Sequence, residues 1–182
     1  MFILKKHSFF SKFITIVLNN KNFFFSKIWI KGLLSLNIMY LPIHLNFLFK
    51  KNSFYLQTVF SKQFLTPTFS SIKNLILSSM RGFKKYLRIR GLGFKVFLEK
   101  KFLKFHLGFS HFNYFKILDT LKIKVAGVKS RTIKIIGLNL NLVNQAGFLI
   151  RKFRNPGSYN YKGIYFLREN FFLKEGKKKK FR

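Results

Sequence analysis

The N-terminal part of the chain alternates short apolar runs with polar breaks. Residues 13–18 and 23–30 are rich in β-branched and aromatic side chains, a composition typical of strands. Asn19 and Asn20 lie between the two runs and favour a turn, and Gly32 can end the second run. This pattern predicts two short strands within residues 12–30.

Residues 32–49 are an uncharged run flanked by Lys31 and Lys50, and they allow two interpretations. The run is just long enough for a transmembrane helix. However, polar residues and Pro42 interrupt it, and the residues after Pro42 alternate with a period of two. We therefore predict two strands that meet at Pro42 and are buried against the following helix, with a turn at 50–52 and a returning strand at 54–59. A membrane span at 32–49 is the alternative.

The periodicity becomes helical after Pro67. Gly82 follows the periodic stretch and is a natural helix stop. The pattern predicts a helix over residues 70–81 that completes a domain of strands followed by one helix. The residues that would share its apolar face are Ile72, Leu75, Ile76, Ser79 and Met80.

The second half of the chain repeats this plan. Strands are predicted at 85–90, 94–98, 103–107 and 131–137, with a bulge or close approach at the Gly91-Leu92-Gly93 stretch. Asn139 is a candidate N-cap for a helix over 140–153. Strands followed by a helix, twice, predict an α+β protein of two tandem similar domains, each an antiparallel sheet packed on one helix. The expected division is an N-terminal extension at 1–11, domains at 12–81 and 82–170, and a basic tail at 171–182.

The charge of the chain is extreme. Its 36 Lys and Arg residues outweigh only four acids, giving a net charge of +32, and no acid precedes Glu99. Such a chain repels itself when compact, so it needs a polyanion such as RNA, DNA or an anionic membrane. Because 48% of its residues are hydrophobic, it has ample apolar surface to bury and is not a disordered basic tail.

The residues that catalysis or metal binding would need are scarce and scattered. Cysteine is absent, so disulfides and thiolate sites are excluded. Carboxylates gathered around a cation are required for a metal-dependent nuclease, but the four acids are spread over predicted turns and the tail. Ser110 and His111 are adjacent, yet no acid is placed to orient the imidazole. We expect neither enzymatic activity nor a metal or other cofactor.

Residues 154–166 are the most informative stretch for function. Pro156 and its neighbours stop the preceding helix, while Gly157 and Gly163 permit unusual backbone angles. Arg154 and Lys162 supply charge, and Tyr159 and Tyr161 can stack on bases. A looped, basic and aromatic segment is suited to irregular folded RNA, which is recognised by shape, phosphate and stacking.

From Gly82 onward the chain resembles the universal large-subunit ribosomal protein six family of the bacterial type. The resemblance rests on Gly82-Phe83, Gly91-Leu92-Gly93-Phe94-Lys95, Gly108-Phe109-Ser110-His111, Lys134-Ile135-Ile136-Gly137 with Asn139, Tyr159-Asn160-Tyr161-Lys162-Gly163-Ile164 and Leu173-Lys174-Glu175-Gly176-Lys177. These motifs follow one another in family order. Residues 12–81 are similar only in plan, with Ile28-Trp29-Ile30-Lys31-Gly32 as a degenerate family motif.

The resemblance implies a structural, non-catalytic protein with two domains related by duplication. It implies that the C-terminal domain and tail bind 23S-like ribosomal RNA near the sarcin–ricin loop. Neighbouring ribosomal proteins near the stalk base would be partners, translation factors would lie close by, and no membrane span is expected. The residues expected to contact RNA are Lys95, Ser110, His111, Arg151, Lys152, Arg154, Tyr159, Tyr161, Lys162, Gly163, Lys174, Lys177, Lys178, Lys179, Lys180 and Arg182.

The excess of Phe, Lys, Asn and Ile indicates drift toward A+T-rich codons, which is common in organelle genomes. We therefore expect the large subunit of a mitochondrial ribosome, with a plastid or an A+T-rich bacterium as alternatives. The basic, acid-free N-terminus resembles a transit peptide, but the whole N-terminal half has the same character.

Overall fold

The computed structural model describes residues 3–8, 15–19, 25–42, 45–50, 53–58, 65–127 and 131–176. The chain divides into two compact units, Met1–Gly82 and Phe83–Arg182. Antiparallel strands and one helix make up the described part of each unit, so the predicted α+β class is confirmed. The finer division into an extension, two domains and a tail stays a prediction, and residues 177–182 of the basic tail lie outside the described ranges.

The described residues of the first unit form two three-stranded antiparallel sheets. One sheet has the order β1-β6-β5 and the other the order β2-β3-β4. The strands are β1 (Ile3–Ser8), β2 (Thr15–Asn19), β3 (Phe25–Lys31), β4 (Leu36–Pro42), β5 (Leu45–Lys50) and β6 (Ser53–Thr58). The predicted strand pair within residues 12–30 is thus confirmed as β2 and β3, which pair with each other.

The uncharged run at 32–49 forms strands β4 and β5 rather than a helix. Pro42 is the last residue of β4, and β5 follows it, as the period of two predicts. Strands β5 and β6 pair as a hairpin, in which Lys50 stands opposite Ser53. The interpretation of this run as a membrane-spanning helix is therefore wrong. Among the described residues, no helix has both the length and the apolar character needed to cross a membrane.

Strand β4 is only half buried against the helix. Leu41 is fully buried, and the Asn37 side chain donates a hydrogen bond of 3.3 Å to the Leu75 carbonyl oxygen. On its other face Leu36, Ile38 and Tyr40 are exposed. The predicted burial of the run is thus correct for one face of β4, and the side chains of β5 lie outside those described.

Helix α1 (Leu65–Arg81) begins earlier than the predicted residue 70. Pro67 lies within its first turn, where the missing proline N–H would have no helical partner in any case. Gly82 has φ 63° and donates its N–H to the Ser78 carbonyl oxygen at 3.2 Å, which ends the helix where predicted. The buried apolar side chains of the first unit are Ile28, Ile30, Leu41, Leu56, Leu65, Ile72 and Ile76.

Gly32 lets the chain after β3 lie directly against α1. The Leu34 N–H donates to the Ser79 carbonyl oxygen at 2.9 Å, and a Cβ on Gly32 would lie 2.5 Å from that oxygen. Because the obstacle is helix backbone, a side chain at residue 32 would force the chain away from the helix.

The second unit contains a four-stranded antiparallel sheet of order β11-β12-β7-β13 and a three-stranded sheet of order β10-β9-β8. The strands are β7 (Phe83–Arg90), β8 (Lys95–Glu99), β9 (Phe102–His106), β10 (Asn113–Lys116), β11 (Leu121–Ala126), β12 (Thr132–Gly137) and β13 (Gly163–Phe166). Helix α2 (Leu140–Lys152) lies between β12 and β13 in the chain and contacts β7, β12 and β13.

Helix α2 closes the core over one face of the four-stranded sheet. Alternate residues of β7 and β12, among them Leu87 and Ile135, are fully buried, together with Val143 and Ile150 of the helix. The Asn139 side-chain oxygen accepts a hydrogen bond of 2.9 Å from the Asn141 N–H, so the predicted N-cap is confirmed.

Strands β1, β10, β11 and β13 were not predicted from the sequence. Strands β10 and β13 have four residues each, which is too short for a period of two to stand out. The interpretation of 154–166 as a loop throughout is wrong at its end, because Gly163–Phe166 pairs with β7 at the edge of the sheet. The glycine that suggested a loop is the first residue of this strand.

Gly32→Ala should destabilise the first unit by about 1–3 kcal/mol, the usual cost of overpacking. Trp29 on β3 is the only tryptophan of the chain, so its fluorescence during urea unfolding reports on this unit. Gly176→Ala is the matched control, because nothing lies within 4 Å of a Cβ at residue 176. An unchanged midpoint for Gly32→Ala would contradict the close approach to Ser79.

Candidate nucleic-acid interface

The segment after α2 is a closed loop between helix and strand. At its base the Ile164 N–H donates to the Arg154 carbonyl oxygen at 2.9 Å, and the Gly157 N–H donates to the Lys162 carbonyl oxygen at 3.2 Å. Tyr159 and Tyr161 project from the loop with 61% and 48% of their surface exposed. The loop therefore presents aromatic rings and the exposed Lys162 from a backbone that its own hydrogen bonds hold.

Gly163 does not lie at the exposed surface of this loop. It is buried, with φ 141°, and a Cβ there would lie 2.7 Å from Pro156 Cα and 2.9 Å from the Asn155 carbonyl oxygen. Gly163 was expected to contact RNA, but the close approach that its missing side chain permits is made within the chain. Any side chain at 163 would push the two ends of the loop apart.

Arg151 uses its charge within the protein. Its guanidinium is 2.6 Å from Glu169 Oε1, and both side chains are largely buried. Glu169 Oε2 accepts a hydrogen bond of 3.2 Å from the Phe166 N–H, so the pair ties the C-terminal end of α2 to the end of β13. Arg151, which was expected to contact RNA, is therefore paired within the chain, and the role of Glu169 was missed because it is distant in sequence.

Arg154 joins two of the predicted motifs. Its guanidinium carbon lies 4.6 Å from the centre of the Phe109 ring and 5.6 Å from that of Phe94. Phe109 in turn stacks on His111, with ring centres 6.4 Å apart. The loop at 108–111 and the end of α2 thus form one surface, with Ser110 and His111 exposed beside the arginine.

The remaining predicted residues that the structure describes lie on exposed parts of the second unit. Lys95, Lys152 and Lys174 are exposed. The Lys174 N–H donates to the Ser158 carbonyl oxygen at 2.9 Å, which brings the segment after β13 onto the loop. The predicted contacts Lys177, Lys178, Lys179, Lys180 and Arg182 lie outside the described residues.

Sequence reasoning missed a second basic surface, on the side of the four-stranded sheet opposite α2. We call it the basic sheet face, and its exposed members are Lys84, Tyr86, Arg88, Arg90, Lys122 and Lys124, with the half-buried Lys134 among them. Lys134 stands between Lys124 and Tyr86 in the register, and its ammonium lies 5.4 Å from the Tyr86 ring centre. The alternation of charged and apolar residues along β7 could have predicted this face, but only the apolar residues were interpreted.

The strands of this sheet contain no Asp or Glu, so nothing on them offsets the charge of the face. On the opposite side, Lys85 faces α2 and donates to Asn144 Oδ1 at 2.9 Å. Burial lowers the pKa of Lys85. Burial also raises the pKa of Tyr165, and the nearby Arg90 opposes that rise. The Tyr165 hydroxyl is thus neutral at physiological pH and able to donate a hydrogen bond.

Comparison with known proteins finds bacterial relatives of part of the chain. It is 39% identical over 108 residues to a protein of Sphingopyxis alaskensis, 38% over 112 residues to one of Paracoccus denitrificans, and 40% over 106 residues to one of Chlorobium limicola. The matches cover 59%, 62% and 58% of this chain and 60%, 62% and 58% of the relatives. All three are ribosomal proteins by name. No protein-family model matches the chain.

Each of these relatives is named large ribosomal subunit protein uL6. The resemblance to the large-subunit ribosomal protein six family is therefore confirmed, and the matched stretch is homologous to uL6. The chain spans about three-fifths of the length of the curated relatives it matches. The relatives are bacterial, so they lend no support to the expected mitochondrial origin.

Gly163→Val should destabilise the second unit by several kcal/mol, because it adds backbone strain to a clash with Pro156. Far-UV circular dichroism during thermal unfolding would show an earlier transition, while the Trp29 signal of the first unit stays unchanged. Gly157→Ala is the control within the same loop, since the nearest atom to its Cβ would be at 3.5 Å. A stable, soluble Gly163→Val protein would contradict the packing of Gly163 against Pro156 and favour the expected contact of this glycine with RNA.

Glu169→Gln should cost the second unit about 1 kcal/mol of unfolding free energy, because it removes the charge that pairs with Arg151. Asp119→Asn is the comparison: the Lys101–Asp119 pair is solvent-exposed, with side chains 70% and 88% accessible, and its loss should leave stability unchanged. Denaturant midpoints of the two variants give the measurement. Equal midpoints would argue against a structural role for the Arg151–Glu169 pair.

Proposed function

We propose that this chain is a structural, non-catalytic constituent of the large ribosomal subunit and binds 23S-like ribosomal RNA through its second unit. The observation that carries this proposal is the 36–40% identity to proteins named uL6 over about three-fifths of the chain. The physical character of the second unit supports it independently.

The imbalance of charge favours a polyanionic partner. The net charge is +32, and Glu99, Asp119 and Glu169 already each contact a Lys or Arg within the chain. Most cations therefore have no acid available as a partner. RNA phosphates would relieve their mutual repulsion and release the counterions that condense on the nucleic acid.

The exposed loop surfaces give this binding a location. Arg154 beside Phe109 and His111, together with the projecting Tyr159 and Tyr161, would combine a bidentate phosphate ligand with flat rings for stacking. The exposed Lys95, Lys152, Lys162 and Lys174 would add further cations, and Ser110 would add a hydroxyl. We include the tail lysines 177–180 and Arg182 in the interface. Arg151 and Gly163 would act by shaping the loop from within.

The family resemblance gives the proposed neighbourhood. The RNA would be the region near the sarcin–ricin loop and the factor-binding region. Ribosomal proteins near the stalk base would be neighbours, and translation factors would lie close by. The composition favours a mitochondrial ribosome over that of a plastid or an A+T-rich bacterium. Sedimentation of the native particle, with sequencing of its RNA, tests both the subunit and the compartment.

An enzymatic role is not part of the proposal. Within the described ranges no three His, Asp or Glu side chains are grouped so that they could hold a metal ion. Ser110 Oγ lies 3.5 Å from His111 Nδ1, at the outer limit for a hydrogen bond, and both residues are exposed. This arrangement is better suited to contacting RNA than to activating a nucleophile.

Binding of the full chain to large-subunit ribosomal RNA should weaken steeply with salt. If about five phosphates are neutralised, log K should fall with log salt concentration at a slope near −4. Lys162→Gln should reduce that slope by about one. Lys73→Gln is the control, since this exposed lysine lies on α1 of the first unit. A slope near zero would contradict phosphate-dominated binding, and equal effects of both variants would contradict the assignment to the second unit.

A further inference from the structure

A cavity of about 480 Å³ opens at the edge of the basic sheet face. It lies within the second unit, between strands β7 and β13 and the segment that follows β13. Its lining includes Arg88, Arg90, Tyr161, Tyr165, Glu169 and Phe172. The volume lies within the range of about 300–1,000 Å³ that is usual for sites that bind small organic groups.

The cavity has a cationic wall. The guanidinium carbon of Arg90 lies 5.4 Å from the Tyr161 ring centre and 5.5 Å from that of Tyr165, so the two rings hold the arginine in place. Arg88 stands opposite Tyr165 in the strand register, and its guanidinium makes no ion pair or ring contact with the described residues. Two arginines therefore face the cavity with their charge available.

The one acid of the lining does not cancel this charge. Glu169 Oε1 pairs with Arg151 at 2.6 Å, and its Oε2 accepts the Phe166 N–H at 3.2 Å. Both carboxylate oxygens are thus occupied within the chain. An anionic group that enters the cavity would meet Arg88 and Arg90 rather than a free carboxylate.

Tyr165 carries an unused hydrogen-bonding group. Its side chain is 5% exposed, its ring packs edge-on against Phe171 at 5.6 Å, and its hydroxyl has no hydrogen-bond partner in the part of the chain that the structure describes. A buried hydroxyl without a partner costs stability. A tyrosine is therefore less favourable than a phenylalanine here unless an external group accepts its hydrogen bond.

Exposed aromatic rings also line the cavity. Phe172 is 89% exposed and Tyr161 48% exposed. Arginines beside aromatic rings are complementary to a nucleotide, which combines an anionic phosphate with a flat base.

We propose that this cavity binds a single unpaired nucleotide of the ribosomal RNA. Its phosphate would contact Arg88 and Arg90, the Tyr165 hydroxyl would donate to a phosphate or base oxygen, and the base would stack against Tyr161 or Phe172. The proposal rests on the proposed RNA-binding function and adds a defined site to it. This site lies at the sheet edge and shares Tyr161 with the loop surface of Arg154.

The experiment compares Tyr165→Phe and Arg90→Gln in the full chain with the unaltered protein. The probe is large-subunit ribosomal RNA transcribed from the genome that encodes the chain. Lys122→Gln is the matched control, because it removes one exposed cation from the far strand of the same sheet. Equilibrium affinity, thermal stability and ultraviolet crosslinking of protein residues to bases are measured for each protein.

We expect Tyr165→Phe and Arg90→Gln to weaken binding about tenfold, the order of one lost stacking or charged contact. Crosslinks from Tyr161 or Phe172 to a base should disappear in both variants and persist in Lys122→Gln. Tyr165→Phe should also leave thermal stability unchanged or raised. A purely structural tyrosine would lower stability instead, and that result would overturn the proposal.

Two further outcomes distinguish a failure of the proposed cavity site from a failure of the proposed RNA-binding function. If the unaltered protein binds the RNA but the variants bind like Lys122→Gln, the cavity is not a nucleotide site and the proposed function stands. If the unaltered protein shows no preference for this RNA over an unrelated transcript, the proposed function itself fails. Full competition by free adenosine or uridine monophosphate at equal concentration would show a site for free nucleotide rather than for RNA.

Discussion

Strand β7 is the element on which the second unit depends. Its residues alternate, so that Leu87 and Ile89 enter the core while Arg88 and Arg90 lie on the opposite face. Because β7 is hydrogen-bonded to β12 on one side and β13 on the other, it carries both the core and the basic sheet face. The apolar half of the strand drives folding by burial under α2, and that burial holds the cationic half together against its own repulsion. The core of the second unit therefore forms without the charged side chains of β7, which lie on the opposite face of the sheet.

Aromatic rings position the cations of this protein, a role that acidic residues have in most proteins. With 36 basic and four acidic residues, ion pairs cannot order the cations, whereas 19% of the chain is aromatic. Cations lie over rings throughout the second unit, each contact contributing about 0.5–1 kcal/mol at exposed sites. The pairs include Lys85 with Phe166, Arg90 with Tyr161, Lys104 with Phe112, Lys134 with Tyr86, and Arg154 with Phe109. Such contacts position a cation without neutralising it, so its charge stays available to a phosphate.

Both helices and most of the strands could be predicted because they depend on local periodicity and on helix caps. The Asn139 cap, the Gly82 stop and the alternation around Pro42 are all local signals, and each was correctly interpreted. The candidate site was harder to predict because it depends on contacts between distant residues. The pairing of Arg151 with Glu169 and the contact of Arg154 with Phe109 join residues that are distant in the sequence. A strand of four residues beginning with glycine gave no periodic signal, so these contacts could not be predicted.

The glycines that carry the family resemblance are explained largely by packing within the chain. A Cβ on Gly91 would lie 2.4 Å from the Phe94 ring, one on Gly108 would lie 3.0 Å from it, and one on Gly163 would meet Pro156 at 2.7 Å. These residues are required for the fold whether or not RNA is bound, so their match to the family argues for shared structure before shared contacts. Recognition of RNA must then come from side chains that these glycines allow to pack close together. Phe94 is one of them, because Gly91 and Gly108 leave room for its ring and Arg154 lies over that ring. The motif glycines thus act indirectly, because their packing sets the positions of the arginines and aromatic rings at the surface.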